Sequence, residues 1–526
     1  MILNFLEVAS ASWNKGTFPI SMRLYIQLFI PISEDTIMKI RKTLLAAVAA
    51  ALLASPSVLP ASAAETVAPY VRSFGSGSLV KTDGTYWEWG GPKAVPTQIV
   101  GLTNVEEAFE GGWIVKEDGT VWIWEENPSG ELRMEALPEA DGLKEVVHGY
   151  SHALALDRSG QVFVRASDEN GKLGAPRLLD GINDVVDIAV SSQSFYLFVK
   201  SDGSVWAANN DLASVLPLPD VAGAVAADNN VVLNADGTVW EVTRTDTVGW
   251  DSSLRLAANR IENLPDIQSI TAYREVRLAI DASSRLWFWG STRTGVSDGT
   301  IVHKQESPIP LTAVADVKQA VHCERSIVVL TKDGSLYETS TSRESMPTDA
   351  IFRKLAEDVV SVTEGGRHVI FQKEDGSLWG WGVNKGSMLG AGDEEFSHDT
   401  PVPMQKPIAV SLDGRTVRLA NGVMLRGAQT FVPLRSVFES MGARIVWDHT
   451  TKSVTIEQGD PSPLTIVVEY ETGTVLKNGS PVVMAEAPFI SSGTSYLPLR
   501  FVSESLGAKV DWYADQYHIA ITTAAD

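Results

Sequence analysis

His322 and Cys323 stand side by side at the start of an apolar run, and an imidazole beside a thiol is the pairing that activates a sulfur nucleophile. No acid to orient the histidine and no glycine-rich oxyanion segment accompanies them, so Cys323 reads as a small buried residue. It is the one cysteine of the chain, which excludes an intramolecular disulfide. His152 and His368 each stand eight residues before a turn glycine and are therefore one repeated position, not a metal pair. His148, His303, His322, His398, His449 and His518 show no His-x-x-x-His or related ligand spacing. An EF-hand loop, a phosphate-binding glycine loop and a Gly-x-Ser-x-Gly elbow are missing too, so no catalytic, metal or cofactor-binding residue is expected. Carboxylates are plentiful, 65 in all, but none stands in a spacing that marks a catalytic pair. What remains is recognition chemistry. Trp250, ending the polar segment 244–250, and Phe396, following Asp393-Glu394-Glu395, are the candidate partner-binding residues, because variable polar loops with occasional aromatics suit recognition.

Those loops hang on a hairpin written eight times. The clearest copies read Asp83-Gly84-Thr85-Tyr86-Trp87, Asp118-Gly119-Thr120-Val121-Trp122, Asp202-Gly203-Ser204-Val205-Trp206, Asp236-Gly237-Thr238-Val239-Trp240, Asp333-Gly334-Ser335-Leu336-Tyr337 and Asp375-Gly376-Ser377-Leu378-Trp379. Two more, at Ser159-Gly160 and Ser283-Ser284, keep the frame and the aromatic. Asp-Gly between apolar runs predicts a hairpin with a two-residue primed turn. The runs before the turns, such as Leu197-Phe198-Val199 and Ile327-Val328-Val329-Leu330, are continuously apolar, as in strands buried on both faces. Turn-to-turn spacings of 35, 41, 43, 34, 47, 50 and 42 residues are those of propeller blades. The tandem pairs Trp87/Trp89, Trp122/Trp124, Trp287/Trp289 and Trp379/Trp381 put two indoles on one side of a strand, either as a binding face or, the favoured reading, as packing between blades.

The last copy is the most explicit: Gly365-Gly366-Arg367-His368, then Asp375-Gly376-Ser377-Leu378-Trp379-Gly380-Trp381-Gly382, then Leu389-Gly390-Ala391-Gly392. It resembles a repeat of the regulator of chromosome condensation family, and the other copies are degenerate forms; residues 149–174 keep the Gly-x-x-His opening and the Gly-Lys-Leu-Gly ending. The resemblance implies a propeller over about 330 residues, seven blades by the family standard or eight by the hairpins here. It does not carry over an exchange-factor activity.

At 526 residues the chain exceeds one ordinary core, and its formal charge of −22 argues against nucleic acid or anionic lipid as the main partner. Met38-Lys39-Ile40-Arg41-Lys42 followed by the apolar stretch 44–53 and Ala61-Ser62-Ala63 has the form of a secretory signal peptide, cleaved around Ala63 and Ala64. Residues 1–37 then read as an upstream extension, 38–64 as the signal, and 65–400 as the propeller. No later segment is long enough to span a bilayer.

A Pro-rich stretch, 401–408, reads as a linker to a second pattern, 409–526. Val432-Pro433-Leu434-Arg435-Ser436-Val437-Phe438-Glu439 returns 65 residues later as Leu497-Pro498-Leu499-Arg500-Phe501-Val502-Ser503-Glu504, and Trp447 returns as Trp512. Each copy predicts a short helix with Gly442 or Gly507 beyond its end, then a hairpin, 444–457 or 509–522. Strands at 417–419 and 474–476, with turns at Asn421-Gly422 and Asn478-Gly479, complete two α+β halves. This pattern looks like the copper amine oxidase N-terminal-like domain, a stalk domain of bacterial envelope proteins. The copper ligands and modified tyrosine of amine oxidases lie in a separate domain, and nothing here resembles it. Arg435 and Arg500 read as architectural partners of Glu439 and Glu504, with ligand binding as the lesser alternative.

The fold class expected is thus mostly β, a seven- or eight-bladed propeller plus a C-terminal duplicated α+β stalk domain. The function expected is a secreted, non-enzymatic cell-envelope binding protein whose loop face recognises a protein or a cell-wall glycan. The alternatives are an envelope hydrolase acting on polysaccharide through acidic residues at the propeller mouth, and a secreted inhibitor of a hydrolase.

Overall fold

The middle strands explain the architecture. Phe195, Leu197, Phe198, Val199, Ile327, Val328, Val329 and Leu330 are all fully buried, although consecutive residues point to opposite faces of their strand. A sheet built on such strands needs a partner on each side. A computed structural model describes residues 70–523 except 128–129, 170, 247–253, 296–299, 428, 460–462 and 485. Among the described residues eight four-stranded antiparallel sheets, each from strands consecutive in the chain, fill 71–403. The first strands of the blades contact one another around the axis and the fourth lie outermost. An apolar cluster fills each of the eight junctions between neighbouring blades, and one of them joins blade eight (Ile370, Leu378, Leu389) to blade one (Leu79, Trp87, Trp89), so the ring is closed. The open choice between seven and eight blades resolves to eight. Trp89, Trp124, Trp289 and Trp381 are buried in these junctions, which makes the tandem tryptophans packing groups.

The Asp-Gly turns differ from the primed turn expected. Gly84 N donates to Lys81 O at 2.9 Å and Lys81 N to Thr85 O at 2.9 Å, while Gly84 alone of the turn residues takes positive φ, +76°. This is a type I turn with glycine in the left-handed bulge position, which needs one residue at positive φ where the primed turn needs two. Asp83 is then free to accept from both Thr85 N (3.0 Å) and Thr85 Oγ1 (2.5 Å), and that hydroxyl accepts from the Trp87 indole at 2.9 Å. The relay recurs at Asp118–Thr120–Trp122, Asp202–Ser204–Trp206 and Asp375–Ser377–Trp379. In blade six, Asp281 two residues upstream takes over and accepts the Trp287 indole directly at 2.9 Å. Lysines cover several of these rings, Lys116 standing 4.5 Å from the Trp122 centroid. In blades one, two, four and eight the distance from turn to aromatic is therefore held by hydrogen bonds.

Residues 409–522 form the duplicated α+β domain. Its central sheet runs Met424–Arg426, Gln429–Pro433, Thr494–Pro498, Phe489–Ser491, with the middle two strands paired antiparallel about the axis relating the halves. Helices α1 (Leu434–Ser440) and α2 (Leu499–Leu506) lead into the expected hairpins, Arg444–Asp448 with Ser453–Gln458 and Lys509–Tyr513 with His518–Thr522. Gly442 and Gly507 take φ +80° and +62° beyond the helix ends. One core holds both halves. Two expectations change. The first-half strand is Ala409–Leu412, with its turn at Asp413-Gly414, the true counterpart of Asn478-Gly479; residues 417–419 are not a strand, and Asn421-Gly422 is a buried contact with blade one. The stretch 401–408 is also no free linker: Ser397–Pro403 is the outer strand of blade eight, where proline is tolerated because one strand edge needs no donor, and Met404 and Ile408 are buried.

The relay yields a graded test. Thr85→Val should strand the indole N–H of Trp87, 1 % exposed, and lower stability by about 1–3 kcal/mol. Thr120→Val, beneath the more exposed Trp122, should cost about half as much or less. Denaturant midpoints of the two variants decide, and equal losses would show that the hydroxyl is not what matters.

Candidate interaction surface and axial cleft

Antiparallel order sorts the connections by end. Turns between first and second strands and loops between third and fourth strands lie at one end of the propeller; the Asp-Gly turns and the connections between blades lie at the other. The uniform, tightly bonded turns thus share one end, and the segments that vary in length and sequence share the other. Phe396 is there, 59 % exposed, at the end of the 384–396 loop of blade eight. Its carbonyl accepts from Asn384 N at 2.7 Å, and Asp393 ties the loop by accepting from Asn384 Nδ2 (3.0 Å) and Glu395 N (3.1 Å) beside His398. The ring is thus presented on a braced loop. Trp250 lies outside the described residues, as do Ala63, Ala64 and all of residues 38–64. Tyr150, 90 % exposed on the first turn of blade three, is at the same end. It went unnoticed in the sequence because Gly149 and His152 around it were absorbed by the repeat; its signal was a large aromatic in a two-strand turn.

From this end a cleft of ≈ 910 Å³ runs into the axis, lined by the first strands of blades three to six and by Glu364 of blade eight. The first strand of each blade is an edge strand, and its outward N–H groups need acceptors. Carboxylates supply them: Asp187 Oδ2 accepts from Ala227 N of the next blade at 2.7 Å, and Asp228 Oδ2 from Ala272 N of the one after at 2.8 Å. Burial raises all four carboxyls of the cleft. Glu145 rises to about 8, from burial and then from the charge of Asp187, to which it is hydrogen-bonded; Asp187 is itself raised by burial. Glu364 rises to about 7, from burial and then from Asp228, and Asp228 rises to about 6, from burial that its bond to Ala272 N only partly offsets. Glu107, Glu145 and Asp187 occupy one strand position in blades two, three and four, a regularity legible by aligning the repeats upstream of the turn. Among the described residues no three His, Cys, Asp or Glu side chains converge as a metal site.

The remaining candidates are architectural. Cys323 is 2 % exposed and burial pushes its thiol up to about 12, while His322, stacked on Tyr273 at 5.0 Å between ring centres, falls to about 4 through burial. A protonated thiol beside a neutral imidazole on the opposite strand face is not an activated pair. His152 and His368 both open the second strand of their blade, and His368 Nε2 donates to Ser76 O of blade one at 3.0 Å. The retained Gly-Lys-Leu-Gly ending in blade three serves Arg165, 2 % exposed, which donates to Gly174 O at 2.7 Å and Gly111 O at 2.7 Å. Arg435 reaches Glu439 along α1 at 3.9 Å.

Comparison with known proteins gives matches to both parts. Residues 411–521 match the family model of the copper amine oxidase N-terminal domain. The E3 ubiquitin-protein ligase HERC2 of Mus musculus and of Homo sapiens are each 25 % identical over 381 residues, which cover 64 % of this chain but 8 % of theirs, so the chain spans less than a tenth of these relatives. A protease inhibitor of Brevibacillus choshinensis is 30 % identical over 109 residues, 20 % of this chain and 32 % of that protein. Among solved structures, human WBSCR16 covers 54 % of this chain and 88 % of its own at 16 % identity and a TM-score of 0.41. Yeast RCC1 (Prp20), solved with Kap60, covers 60 % and 83 % at 17 % identity and 0.40. The chain is thus an eight-bladed propeller with sequence similarity to the HERC2 ligases, followed by a region, 411–521, that matches the copper amine oxidase N-terminal domain.

Proposed function

We propose that this is a non-enzymatic interaction protein, exported to the cell envelope, whose propeller grips a protein partner with its loop end. The observation that carries the reading is the segregation of ends: the repeat positions are consumed by turns and core, and the variable loops, with Phe396 braced and Tyr150 fully displayed, gather around the axial cleft. Two of the four cleft carboxyls, Asp187 and Asp228, are engaged as acceptors for strand N–H groups, which favours binding over hydrolysis. Export rests on the signal-like segment 38–64; among the described residues no helix is long and apolar enough to cross a membrane. A narrower second reading, that the partner is a hydrolase which the protein inhibits, is favoured by the likeness to the Brevibacillus choshinensis protease inhibitor.

The test is capture of a partner from envelope and culture extracts with the chain from residue 65 onward, followed by loop-end variants. Tyr150→Ala, Phe396→Ala and Trp250→Ala should each weaken binding by about 1–3 kcal/mol where the ring is an anchor. Glu262→Ala, at the opposite end, should leave it unchanged. A partner lost equally from both ends, or turnover of polysaccharide or peptide by the purified chain, would refute the reading.

The carboxyls at this end also set a pH dependence. The folded protein keeps protons on Glu145 and Glu364 up to about 8 and 7, whereas their ordinary value is 4.5, so stability falls as pH rises through that interval. Buried His322, lowered to about 4 from 6.5, acts oppositely, but only below 6.5. The turn aspartates Asp83, Asp202 and Asp375 are lowered, and their contribution is lost only as pH falls below 3.8. Between pH 6.5 and 8 the carboxyls act alone. The melting temperature should therefore decline across this window, and Glu145→Gln should flatten the decline; a rise in the parent protein would contradict the assignment.

A further inference from the structure

A propeller is weakest where its first and last blades meet. Here all four strands of blade one come from the start of the ring and all four of blade eight from its end, so no exchanged strand crosses the seam. Side-chain packing and a few bonds join them: Trp89 Nε1 donates to Met388 O at 2.9 Å, Gly91 N to Gly386 O at 2.7 Å, and His368 to Ser76 O.

The C-terminal domain sits across this seam. The outer strand of blade one, Lys93–Gln98, has four successive buried residues, whereas no outer strand of blades two to eight has two in succession among the described residues. What buries it is one face of the central C-terminal sheet: Met424, Phe431 and Tyr496 close over Ala94 and Val95, all at 1 % exposure or less. Gly422 lies so near that a Cβ there would stand 2.2 Å from Pro96 O. On the same blade Lys81 Nζ donates to Gln516 O at 2.9 Å, and Tyr70 meets Tyr517 edge to face at 4.8 Å, with Lys406 Nζ 5.1 and 5.2 Å from the two ring centres. On the blade-eight side, Gln405 bridges Ala391 O (3.2 Å) and both backbone groups of Leu425, and Ser492 N donates to Glu394 at 3.4 Å.

We propose that the C-terminal domain is a latch that holds the propeller ring shut, doing from outside what an exchanged strand would do within a blade. Apart from the Arg418–Glu126 ion pair to blade two at 2.9 Å, these contacts fall on both sides of one junction of the eight, and they seal the outer edge of the blade that begins the ring. Opening the latch would free that edge and the seam together, while the far blades keep both neighbours.

Hydrogen–deuterium exchange on the chain from residue 65 onward tests this. Gly422→Val places a side chain against the Pro96 carbonyl, and the pair Lys406→Ala with Tyr517→Ala removes the cation and a ring without altering any propeller strand. In either variant, peptides covering 86–92 and 384–391 should exchange about tenfold faster or more. Peptides from 231–244 of blade five should keep parental rates, and Lys406→Arg, which retains the cation, should keep parental protection at the seam. Parental exchange at the seam while peptides of 421–432 have become labile would overturn the proposal. So would equal acceleration in all eight blades, which would make the domain a general stabiliser and not a latch.

Discussion

Each blade is built on a strand that is apolar on both faces, and this one property governs the rest of the molecule. Trp113 packs toward blade three while the next residue, Ile114, packs toward blade one. A four-stranded sheet with such a middle can bury only one of its faces against a single neighbour, so every blade needs two, and a row of blades is satisfied only as a ring. Each fully buried side chain of this size contributes about 1.5–3 kcal/mol, which no blade could recover with one face in water. Closure is therefore a requirement of the core.

Closing the ring settles the faces but not the edges. Each sheet still ends in two strands with unpaired backbone groups. At the axis the chain answers with carboxylates, Asp187 and Asp228 reaching to N–H groups of the following blade, and crowding makes the cleft hold protons on acids that water would ionise. At the rim most outer strands are left to solvent, with polar or proline-containing sequences such as Ser397–Pro403. Blade one is treated differently. Its outer strand carries Ala94-Val95 and needs a cover, and the C-terminal sheet supplies it.

The turns tie this architecture to function by elimination. A type I turn with its bulge glycine, an aspartate, a hydroxyl and an indole form a closed set of bonds at one end of four of the eight blades, leaving those turns little freedom to vary. The other end carries loops whose only obligation is to return the chain to an outer strand. Recognition can vary there without disturbing the core.

The sequence by itself determined the local and periodic features: the eight hairpins, the two-sided strands, the glycine positions, and the 65-residue duplication with its helices and hairpins. These depend on residues within a few positions of one another or on exact repetition, which a linear string records. It left open whether seven or eight blades form, because that follows from how the first and last sheets meet across some 300 residues. It misread Asn421-Gly422 as a turn and 401–408 as a linker, since a small flexible pair looks the same whether it bends the chain or lets another backbone come close, and prolines suit an edge strand as well as a spacer. The axial carboxyls were hidden among 65 acidic residues, for their burial is created only when five blades converge. The docking of the duplicated domain on the seam, and with it the joining of two parts that read as independent, was decided by tertiary structure alone, because a fit between two surfaces leaves no periodic trace in either sequence.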